Sequence, residues 1–274
     1  MAKHAHTRGI DRSKIPVAIL CGGKGTRLRE ETENVPKPLV RVGDRPILWH
    51  ILKIYYAQGF RRFILLLGYK GEKIKEYFVN YHLYTNSFTL KQTGTRVSTT
   101  LLSKPQEDWE ITCLDTGQET LTGGRIKQLE KLLAKDKYFM LTYGDGVANV
   151  DLKENLEQHV KSGKSVTMTG VPPLARFGEI HLTKLGSIRF FEKPMVTNAL
   201  INGGYMVVNT SLLKQLPDDP SLNFETQILP KLAEADDLHV VPHRGYWQCM
   251  DTVRDMDVLN AQWVGGTPPW KIWK

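Results

Sequence analysis

Near-continuous apolar runs alternate along the chain with stretches that repeat apolar residues every three or four positions. Apolar runs of this kind are typical of strands buried on both faces of a parallel sheet, and they predict strands at 17–21, 63–67, 138–143, 166–171 and 238–241. The three-and-four spacing predicts helices at 47–58, 73–80, 125–133, 152–162, 224–234 and 252–263. We therefore predict an α/β protein with a Rossmann-like, doubly wound, mostly parallel mixed sheet.

Two regions depart from this alternation. Between residues 88 and 114, short Thr-rich segments predict a hairpin or an insertion, which would close one side of a site or contact a second subunit. Short strands at 178–182, 187–192 and 205–208 predict a small β-rich portion. The sequence shows no internal repeat, low-complexity tract or long linker. We therefore expect one domain over residues 15–274, preceded by a disordered basic tail at residues 1–14.

Composition disfavours several classes of protein. No run approaches the roughly 18 apolar residues of a membrane span, and the first residues lack the apolar core of a signal peptide. We therefore expect a cytoplasmic protein with no membrane partner. The net charge is +8, but the lysines and arginines are scattered, so we expect acidic small substrates and no nucleic acid. Cys21, Cys113 and Cys249 lack the spacing of disulfide or metal motifs and are expected to be free thiols.

A glycine-rich run directly follows the first predicted strand. It reads Gly-Gly-Lys-Gly-Thr-Arg-Leu at 22–28, and Pro-Lys-Pro follows at 36–38. Glycines let the backbone approach a polyphosphate and turn its N–H groups toward the oxygens. Arg27 adds a forked donor and Lys37 a compact positive charge. Because both the final glycine of the dinucleotide fingerprint and the Walker-type ending are missing, the run indicates a third type of phosphate site. A plain turn would use the same glycines.

Together with four later segments, this run resembles the sequence signature of sugar-1-phosphate nucleotidylyltransferases. In that family a strand is followed by Gly-Gly-x-Gly-Thr-Arg-Leu and then by Pro-Lys-Pro, and both parts stand here in order. The later segments are similar to the cytidylyltransferase branch that makes CDP-glucose; they read TYGDG at 142–146, FEKP at 191–194, NGGY at 202–205 and WQCMDT at 247–252. The resemblance runs from about residue 15 to the end of the sequence. It implies the nucleotide-diphospho-sugar transferase type of fold.

The resemblance implies a nucleotidyl transfer. A sugar 1-phosphate oxygen attacks the α-phosphorus of a nucleoside triphosphate, which gives a nucleotide sugar and pyrophosphate, with Mg²⁺ as the cofactor. The implied substrates are CTP and glucose 1-phosphate, the product would feed deoxysugar and surface-polysaccharide (O-antigen) synthesis, and the enzyme would be a homo-oligomer. Because the attacking phosphate is already ionised at pH 7, catalysis would rest on positioning and electrostatics rather than on a general base.

The resemblance also implies roles for four charged residues. Arg27, Lys37 and Asp145 would be catalytic, with Arg27 on the leaving pyrophosphate and Lys37 on the α-phosphate and the incoming sugar phosphate. Asp145 and Asp251 would hold the metal, because Mg²⁺ takes one or two carboxylates. Three of the four have a structural alternative. Lys37 would be a surface lysine in a rigid loop, Asp145 part of an Asx-turn, and Asp251 the N-cap of the last helix.

Substrate contacts are implied at further positions of these motifs. Thr116 and Arg125 would face the pyrimidine edge or the phosphates, and an arginine at a helix start opposes the helix dipole, which favours a ligand role. Glu192 and Lys193 would contact a sugar hydroxyl and the sugar phosphate, with an exposed charge pair as the alternative. For Asn202 the alternative is a plain turn. The nucleotide and sugar contacts implied in full are Leu20, Cys21, Gly22, Gly23, Lys24, Gly25, Thr26, Arg27, Lys37, Thr116, Gly123, Arg125, Gly144, Glu192, Lys193, Asn202 and Gly203.

Two departures from the family pattern leave specificity open. Lys24 stands where an apolar residue is common, and Val35 precedes Pro36 where a second lysine is common. The same reaction with UTP, dTTP or another sugar phosphate is therefore one alternative. A non-catalytic homologue that binds nucleotide sugars is another, although all four charged residues are present. The glycine spacing disfavours a nicotinamide dehydrogenase on a Rossmann scaffold.

Overall fold

The computed structural model describes residues 10–104, 107–173, 179–182, 188–191 and 199–273. In chain order, the strands are β1 (Pro16–Cys21), β2 (Arg41–Val42), β3 (Arg45–Pro46), β4 (Arg62–Leu67), β5 (Phe88–Thr93), β6 (Arg96–Leu101), β7 (Glu110–Asp115), β8 (Tyr138–Tyr143), β9 (Gly146–Ala148), β10 (Val166–Val171), β11 (Glu179–Leu182), β12 (Ile188–Phe191), β13 (Ile201–Asn209), β14 (Leu238–Pro242) and β15 (Trp247–Cys249). The α-helices are α1 (Arg29–Thr32), α2 (Ile47–Ala57), α3 (Gly71–Val79), α4 (Tyr81–Thr85), α5 (Thr122–Lys127), α6 (Leu152–Ser162), α7 (Ser211–Gln215), α8 (Leu229–Glu234) and α9 (Val253–Val264). Short 3-10 helices lie at Arg12–Lys14, Thr26–Leu28 and Lys37–Leu39, and a π-helical turn lies at Phe224–Ile228.

A central sheet, seven-stranded in the described part of the chain, has the order β14-β10-β13-β8-β1-β4-β7. β8, β1, β4 and β7 run parallel, as do β10 and β14, whereas β13 lies antiparallel between β8 and β10. The predicted mostly parallel, mixed sheet is confirmed. Within the sheet, β1 lies between β4 and β8: Ala18 lies between Ile64 of β4 and Leu141 of β8, and all three side chains are buried.

The two faces of the sheet carry separate halves of the core. On one face, Val17 and Ile19 of β1 belong to a cluster with Ile51 of α2. On the other face, Ala18 belongs to a cluster with Ile126 of α5. Because successive residues of a strand point to opposite faces, β1 contributes to both halves, as a doubly wound sheet requires.

The last helix packs against the first half of the chain through aromatic rings. The ring of the fully buried His50 on α2 lies 4.6 Å from that of Trp263 and 6.0 Å from that of Trp270, between centroids. His50 Nε2 lies 2.9 Å from the carbonyl oxygen of Val42, and Trp270 Nε1 donates to His50 Nδ1 across 3.4 Å. These partners fit a neutral imidazole with its proton on Nε2. Burial lowers the pKa of His50 to about 4.

Three predicted elements differ from the structure. Residues 88–114, predicted as a hairpin or an insertion, form the β5–β6 hairpin and also β7, an edge strand of the central sheet. β7 is only partly buried, so it lacks the continuous apolar run by which the other parallel strands were found. The helix predicted at 125–133 is the shorter α5. The helix predicted at 224–234 is divided, because Pro230 has no N–H with which to continue the hydrogen bonding into α8.

The predicted β-rich portion is also arranged differently. β11 and β12 pair with each other, whereas the strand predicted at 205–208 lies within β13 in the central sheet. Residues 10–14, which we placed in a disordered tail, are structured: Asp11 caps the first 3-10 helix and Ile10 packs on the core. Residues 1–9 lie outside the described part. The prediction of one domain stays a prediction. None of the described helices is long and apolar enough to cross a membrane.

Candidate active site

The glycine-rich run and the TYGDG segment meet at the carboxyl ends of neighbouring strands. β1 ends at Cys21 and β8 ends at Tyr143, and these two strands pair in parallel. The backbone N–H of Gly144 donates to the carbonyl oxygen of Leu20 across 3.0 Å, which holds the two loops together. Open α/β sheets bind their ligands at this edge.

Gly25 shapes the loop that leaves β1. Its φ is +63°, a conformation that favours glycine, and a Cβ there would lie 3.1 Å from Lys37 Cβ. Thr32 Oγ1 donates to the carbonyl oxygen of Gly25 across 3.2 Å and lies 3.0 Å from that of Leu28. The glycine therefore lets the loop pass directly beside Lys37.

Lys37 lies between two carboxylates. Its ammonium donates to Asp145 Oδ2 across 2.6 Å and to Asp251 Oδ1 across 2.7 Å. The Lys37 side chain is only 13% exposed, so burial opposes its charge, but the two aspartates outweigh burial and raise the pKa of Lys37. Burial likewise opposes the charge of Asp251, and Lys37 outweighs it, with a smaller effect of Arg27, so that the pKa of Asp251 is lowered. The alternative of a surface lysine is wrong.

A short ribbon brings the two aspartates together. Gly146 of β9 pairs with Cys249 of β15, and the Met250 N–H donates to the carbonyl oxygen of Asp145 across 2.8 Å. Asp145 thus precedes one strand of the ribbon, and Asp251 follows the other.

The cap of the last helix is Thr252, not Asp251. Thr252 and Asp255 form a reciprocal capping box at the start of α9. Asp255 Oδ2 also accepts the backbone N–H of Asp251 across 3.1 Å, which fixes the residue and leaves its carboxylate directed at Lys37 and at Arg27, 3.0 Å from Arg27 Nη1. The N-cap alternative for Asp251 is therefore wrong.

Two cavities meet at these charges. One has a volume of about 240 Å³ and is lined by Leu20, Cys21, Gly23, Gly25, Thr26, Arg27, Lys37, Pro38, Thr122, Tyr143, Gly144, Asp145 and Asp251. The other has a volume of about 270 Å³ and is lined by Arg27, Thr142, Tyr143, Asp145, Gly146, Asn202, Gly203, Tyr205, Trp247, Cys249 and Asp251. We call them the glycine-loop cavity and the Asn202 cavity. They share Arg27, Tyr143, Asp145 and Asp251, so a ligand in each would meet at the charged residues.

Arg125 contacts protein rather than open space. Its guanidinium is buried, and its terminal nitrogens donate to the carbonyl oxygens of Gly22, Leu67, Gly117 and Gln118 over 2.8 to 3.3 Å. A Cβ on Gly22 would lie 2.2 Å from the guanidinium carbon. An arginine at a helix start was taken to favour a ligand role for Arg125. That argument was wrong, because the positive charge is directed at carbonyl oxygens of the protein. In this structure Arg125 ties the glycine loop to the ends of β4 and β7.

The neighbouring predicted contacts also have protein partners. The buried Thr116 hydroxyl donates to the carbonyl oxygen of Leu67 across 2.6 Å and accepts from Arg125 at the same distance. A Cβ on Gly123 would lie 2.7 Å from Leu222 Cγ, so close packing explains that glycine. Lys24 Nζ pairs with Glu119 at 2.8 Å. None of these three lines either cavity.

The Asn202 cavity contains the predicted sugar contacts that the structure describes. Asn202 Nδ2 donates to Tyr143 Oη across 3.0 Å, and Asn202 Oδ1 accepts the N–H of Gly204 across 2.8 Å. The carbonyl oxygen of Gly203 accepts Trp247 Nε1 at 2.8 Å. Glu192 and Lys193 lie outside the described residues.

Sequence analysis missed several lining residues. Tyr143 and Trp247 stand inside quoted motifs, beside Gly144 and before Asp251, so proximity in sequence was an available signal. Thr122 directly precedes Gly123, so the same signal, proximity in sequence to a predicted contact, was available for it. All three cysteines are free thiols, as predicted.

The comparisons with known proteins agree with this site. The sequence profile of the family described as "Nucleotidyl transferase" matches residues 17–261. The chain therefore belongs to the nucleotidyl transferase family, which confirms the resemblance drawn from the motifs.

The more specific similarity is to two bacterial enzymes. The chain is 43% identical over 257 residues to the glucose-1-phosphate cytidylyltransferase of Salmonella typhimurium, covering 93% of this chain and 98% of that protein. It is also 43% identical over 255 residues to the probable glucose-1-phosphate cytidylyltransferase of Bacillus subtilis, with the same coverage of both.

Solved structures support the fold. HddC from Yersinia pseudotuberculosis, crystallised with GMP-PN, superposes with a TM-score of 0.66 at 21% identity and covers 91% of this chain and 99% of its own. A putative glucose-1-phosphate thymidylyltransferase from Bacillus anthracis superposes with a TM-score of 0.62 at 16% identity, covering 90% and 94%. At these identities the likeness concerns architecture, and it confirms the predicted fold type.

Proposed function

We propose that this protein is a glucose-1-phosphate cytidylyltransferase, which converts CTP and glucose 1-phosphate to CDP-glucose and pyrophosphate. The proposal rests on the position of Lys37 between Asp145 and Asp251, where the two cavities meet. The similarity to named cytidylyltransferases supports the choice of base and sugar.

The glycine-loop cavity takes CTP and the Asn202 cavity takes glucose 1-phosphate. The glycine loop offers backbone N–H groups to a triphosphate, whereas Asn202 and the Gly203 backbone offer an amide and a carbonyl to sugar hydroxyls. The two phosphates then meet beside Arg27 and Lys37. The sugar phosphate oxygen attacks the α-phosphorus in line, and pyrophosphate leaves.

Arg27 and Lys37 neutralise the charge that gathers at this meeting point. Lys37 lines the glycine-loop cavity, and both of its carboxylate partners line both cavities, so its ammonium would contact the α-phosphate and the incoming sugar phosphate. Arg27 is 72% exposed and is free to move onto the leaving pyrophosphate. In transfers of this kind, catalysis comes mainly from positioning the reactants and from electrostatic stabilisation of the developing charge.

Asp145 and Asp251 fit a magnesium ion. Both carboxylates contact the same cation in this structure, the Lys37 ammonium, so their oxygens converge on one positively charged point. Two carboxylates with room for phosphate oxygens and water suit Mg²⁺. When bound, the metal supplies Lewis-acid stabilisation of phosphate charge.

Pyrophosphate release tests the proposal. The protein is incubated with glucose 1-phosphate and Mg²⁺, and CTP, UTP, dTTP, ATP and GTP are supplied separately, with a chelator control and identification of the product. We expect CDP-glucose from CTP and loss of activity with the chelator. Release with another nucleotide alone would overturn the base assignment, and no release with any nucleotide would overturn the proposed enzyme.

We also propose a homo-oligomer that is formed through the β5–β6 hairpin. The register places Phe88, Leu90, Val97 and Leu101 on one face of the hairpin, and Leu90 and Val97 are 55% and 59% exposed. An isolated two-stranded hairpin is marginally stable in water, so a second copy is the occupant we propose for this apolar face.

Light scattering after size exclusion tests the oligomer. Leu90→Asp should lower the molecular mass to that of a smaller assembly, whereas Lys91→Glu on the opposite face should not. A parent protein that elutes as a monomer would contradict the proposal. The cytoplasmic location stays a prediction.

A further inference from the structure

A chain of hydrogen bonds connects residues that line the two cavities. Tyr143, which lines both cavities, donates its hydroxyl proton to Glu225 Oε1 across 2.6 Å. The other oxygen of Glu225 accepts the Thr122 hydroxyl across 2.5 Å, and Thr122 Oγ1 accepts the Phe224 N–H at 3.0 Å. Glu225 itself lines neither cavity, and sequence analysis gave it no role.

The donor and the acceptor can be identified for the hydrogen bonds of Tyr143 and of the Asn202 amide. A carboxylate only accepts hydrogen bonds, so the Tyr143 hydroxyl proton points at Glu225. The Tyr143 oxygen is therefore an acceptor toward Asn202 and requires the amide nitrogen there. At the other end of the amide, the Gly204 N–H requires the oxygen.

We propose that Glu225 is a positioning residue for the sugar phosphate, and that it acts through Tyr143 by holding the Asn202 amide in one orientation. The proposal rests on the proposed function for the identity of the ligand. The held amide retains one N–H and one oxygen lone pair, which leaves a donor and an acceptor for adjacent hydroxyls of the sugar. An amide free to rotate would present these groups in the wrong order for part of the time, and binding would weaken.

Four variants separate this role from a general structural one. Glu225→Met removes both acceptors at similar length, and Tyr143→Phe removes only the hydroxyl. Glu225→Gln keeps one oxygen that can accept from Tyr143. Gln227→Met is the matched control, because Gln227 Oε1 accepts the Asn223 N–H across 2.6 Å in the same π-helical turn and has no contact with Tyr143 among those described.

We call the connection from Glu225 through Tyr143 to the Asn202 amide the relay. Hydrogen exchange of the Gly204 amide tests this relay without any substrate. This N–H is buried and its partner is the Asn202 side chain, so its protection reports how firmly the amide is held. We expect Glu225→Met and Tyr143→Phe each to exchange roughly tenfold faster at Gly204 than the parent. Gln227→Met should match the parent. Unchanged exchange in both relay variants would overturn the proposal, whatever the enzyme makes.

Steady-state kinetics test the consequence for the sugar. We expect Glu225→Met and Tyr143→Phe to raise KM for glucose 1-phosphate roughly tenfold with little change in kcat, because an orientation effect of this kind weakens binding uniformly. Glu225→Gln should recover most of the lost affinity. The double variant should be no worse than Tyr143→Phe alone, since Glu225 acts through the hydroxyl that is then missing.

The two proposals fail in different ways. If the parent makes no CDP-glucose, the proposed function fails and the exchange at Gly204 still decides the relay. If the parent is active but both relay variants keep the parent KM for glucose 1-phosphate, the relay alone is overturned. It is also overturned if Gln227→Met raises KM equally, because the effect would then come from a loosened helix.

Discussion

The backbone N–H of Met250 donates to the carbonyl oxygen of Asp145 across 2.8 Å, and this bond fixes the backbone position of the next residue, Asp251. The two carboxylates proposed to bind metal are therefore positioned by main chain, on a ribbon whose strands are distant in sequence. Their spacing does not depend on a flexible loop. A site preorganised in this way spends little free energy on arranging its ligands when substrate arrives.

Removal of either carboxylate charge should stop turnover. We expect Asp145→Asn and Asp251→Asn each to lower kcat by roughly 100-fold or more, since each loses one of two metal-binding charges. Circular dichroism should show a parent-like fold. Near-parent kcat in either variant would remove that aspartate from the metal site.

Replacement of Lys37 should expose the repulsion between its two partners. In Lys37→Met, Asp145 and Asp251 lose the cation that both contact, so we expect a lower melting temperature. Added Mg²⁺ should raise the melting temperature of Lys37→Met more than that of the parent, because binding to the folded state alone is stabilising. Thermal melts with Mg²⁺ and with a chelator measure this. An equal effect of Mg²⁺ on both proteins would argue against convergence of the carboxylates on a metal.

Arg27 should matter for chemistry and little for stability. Its side chain is 72% exposed, and exposed ion pairs contribute at most about 1 kcal/mol. We expect Arg27→Met to keep the parent melting temperature within a few degrees while kcat falls by roughly 100-fold, because charge on the leaving pyrophosphate is no longer neutralised. If Arg27→Met lowers the melting temperature and kcat in proportion, the role of Arg27 is structural.

Arg125 should behave in the opposite way. Its donors hold carbonyl oxygens of three chain segments, so Arg125→Met should reduce the free energy of unfolding by about 3 kcal/mol. Urea unfolding measures the loss. If stability is kept and only KM for CTP rises, the role inferred from the sequence, contact with the nucleotide, would be the correct one.

His50 should make stability fall in mild acid. The folded pKa is about 4 and the ordinary value 6.5, so between these values the unfolded chain binds the extra proton. Stability from this residue is complete above pH 6.5 and declines as the pH falls toward 4. Between pH 7 and pH 5 we expect a loss of about 2 kcal/mol that His50→Gln lacks. Urea titrations of both proteins at the two pH values measure it, and equal losses would contradict this assignment.

Sequence predicted the parts of the site that follow from strand ends. Cys21 and Tyr143 end two predicted strands, and the resemblance implied catalytic roles for Arg27 and Asp145, which follow these strands; the carboxyl ends of parallel strands meet at one edge of a sheet. The pairing of β9 with β15 was not predictable, because three-residue strands carry too short a pattern to identify a partner.

The direction of side chains was harder to predict than their neighbourhood. Arg125 was predicted to contact the pyrimidine edge or the phosphates, but nothing in a single sequence indicates whether a guanidinium points outward to a ligand or inward to carbonyl oxygens. Glu225 is similar. It stands in an ordinary polar stretch, and its partners Tyr143 and Thr122 lie 82 and 103 residues away.

The contact between Asp251 and Lys37 also affects when activity should appear during refolding. Asp251 meets Lys37 across 214 residues of chain, and contacts of such separation incur the loop-closure entropy of long segments before they stabilise anything. Strands β1, β4 and β8 can pair before this closure, so native-like circular dichroism should return ahead of catalysis. Recovered enzyme activity then reports a later step of folding than circular dichroism does.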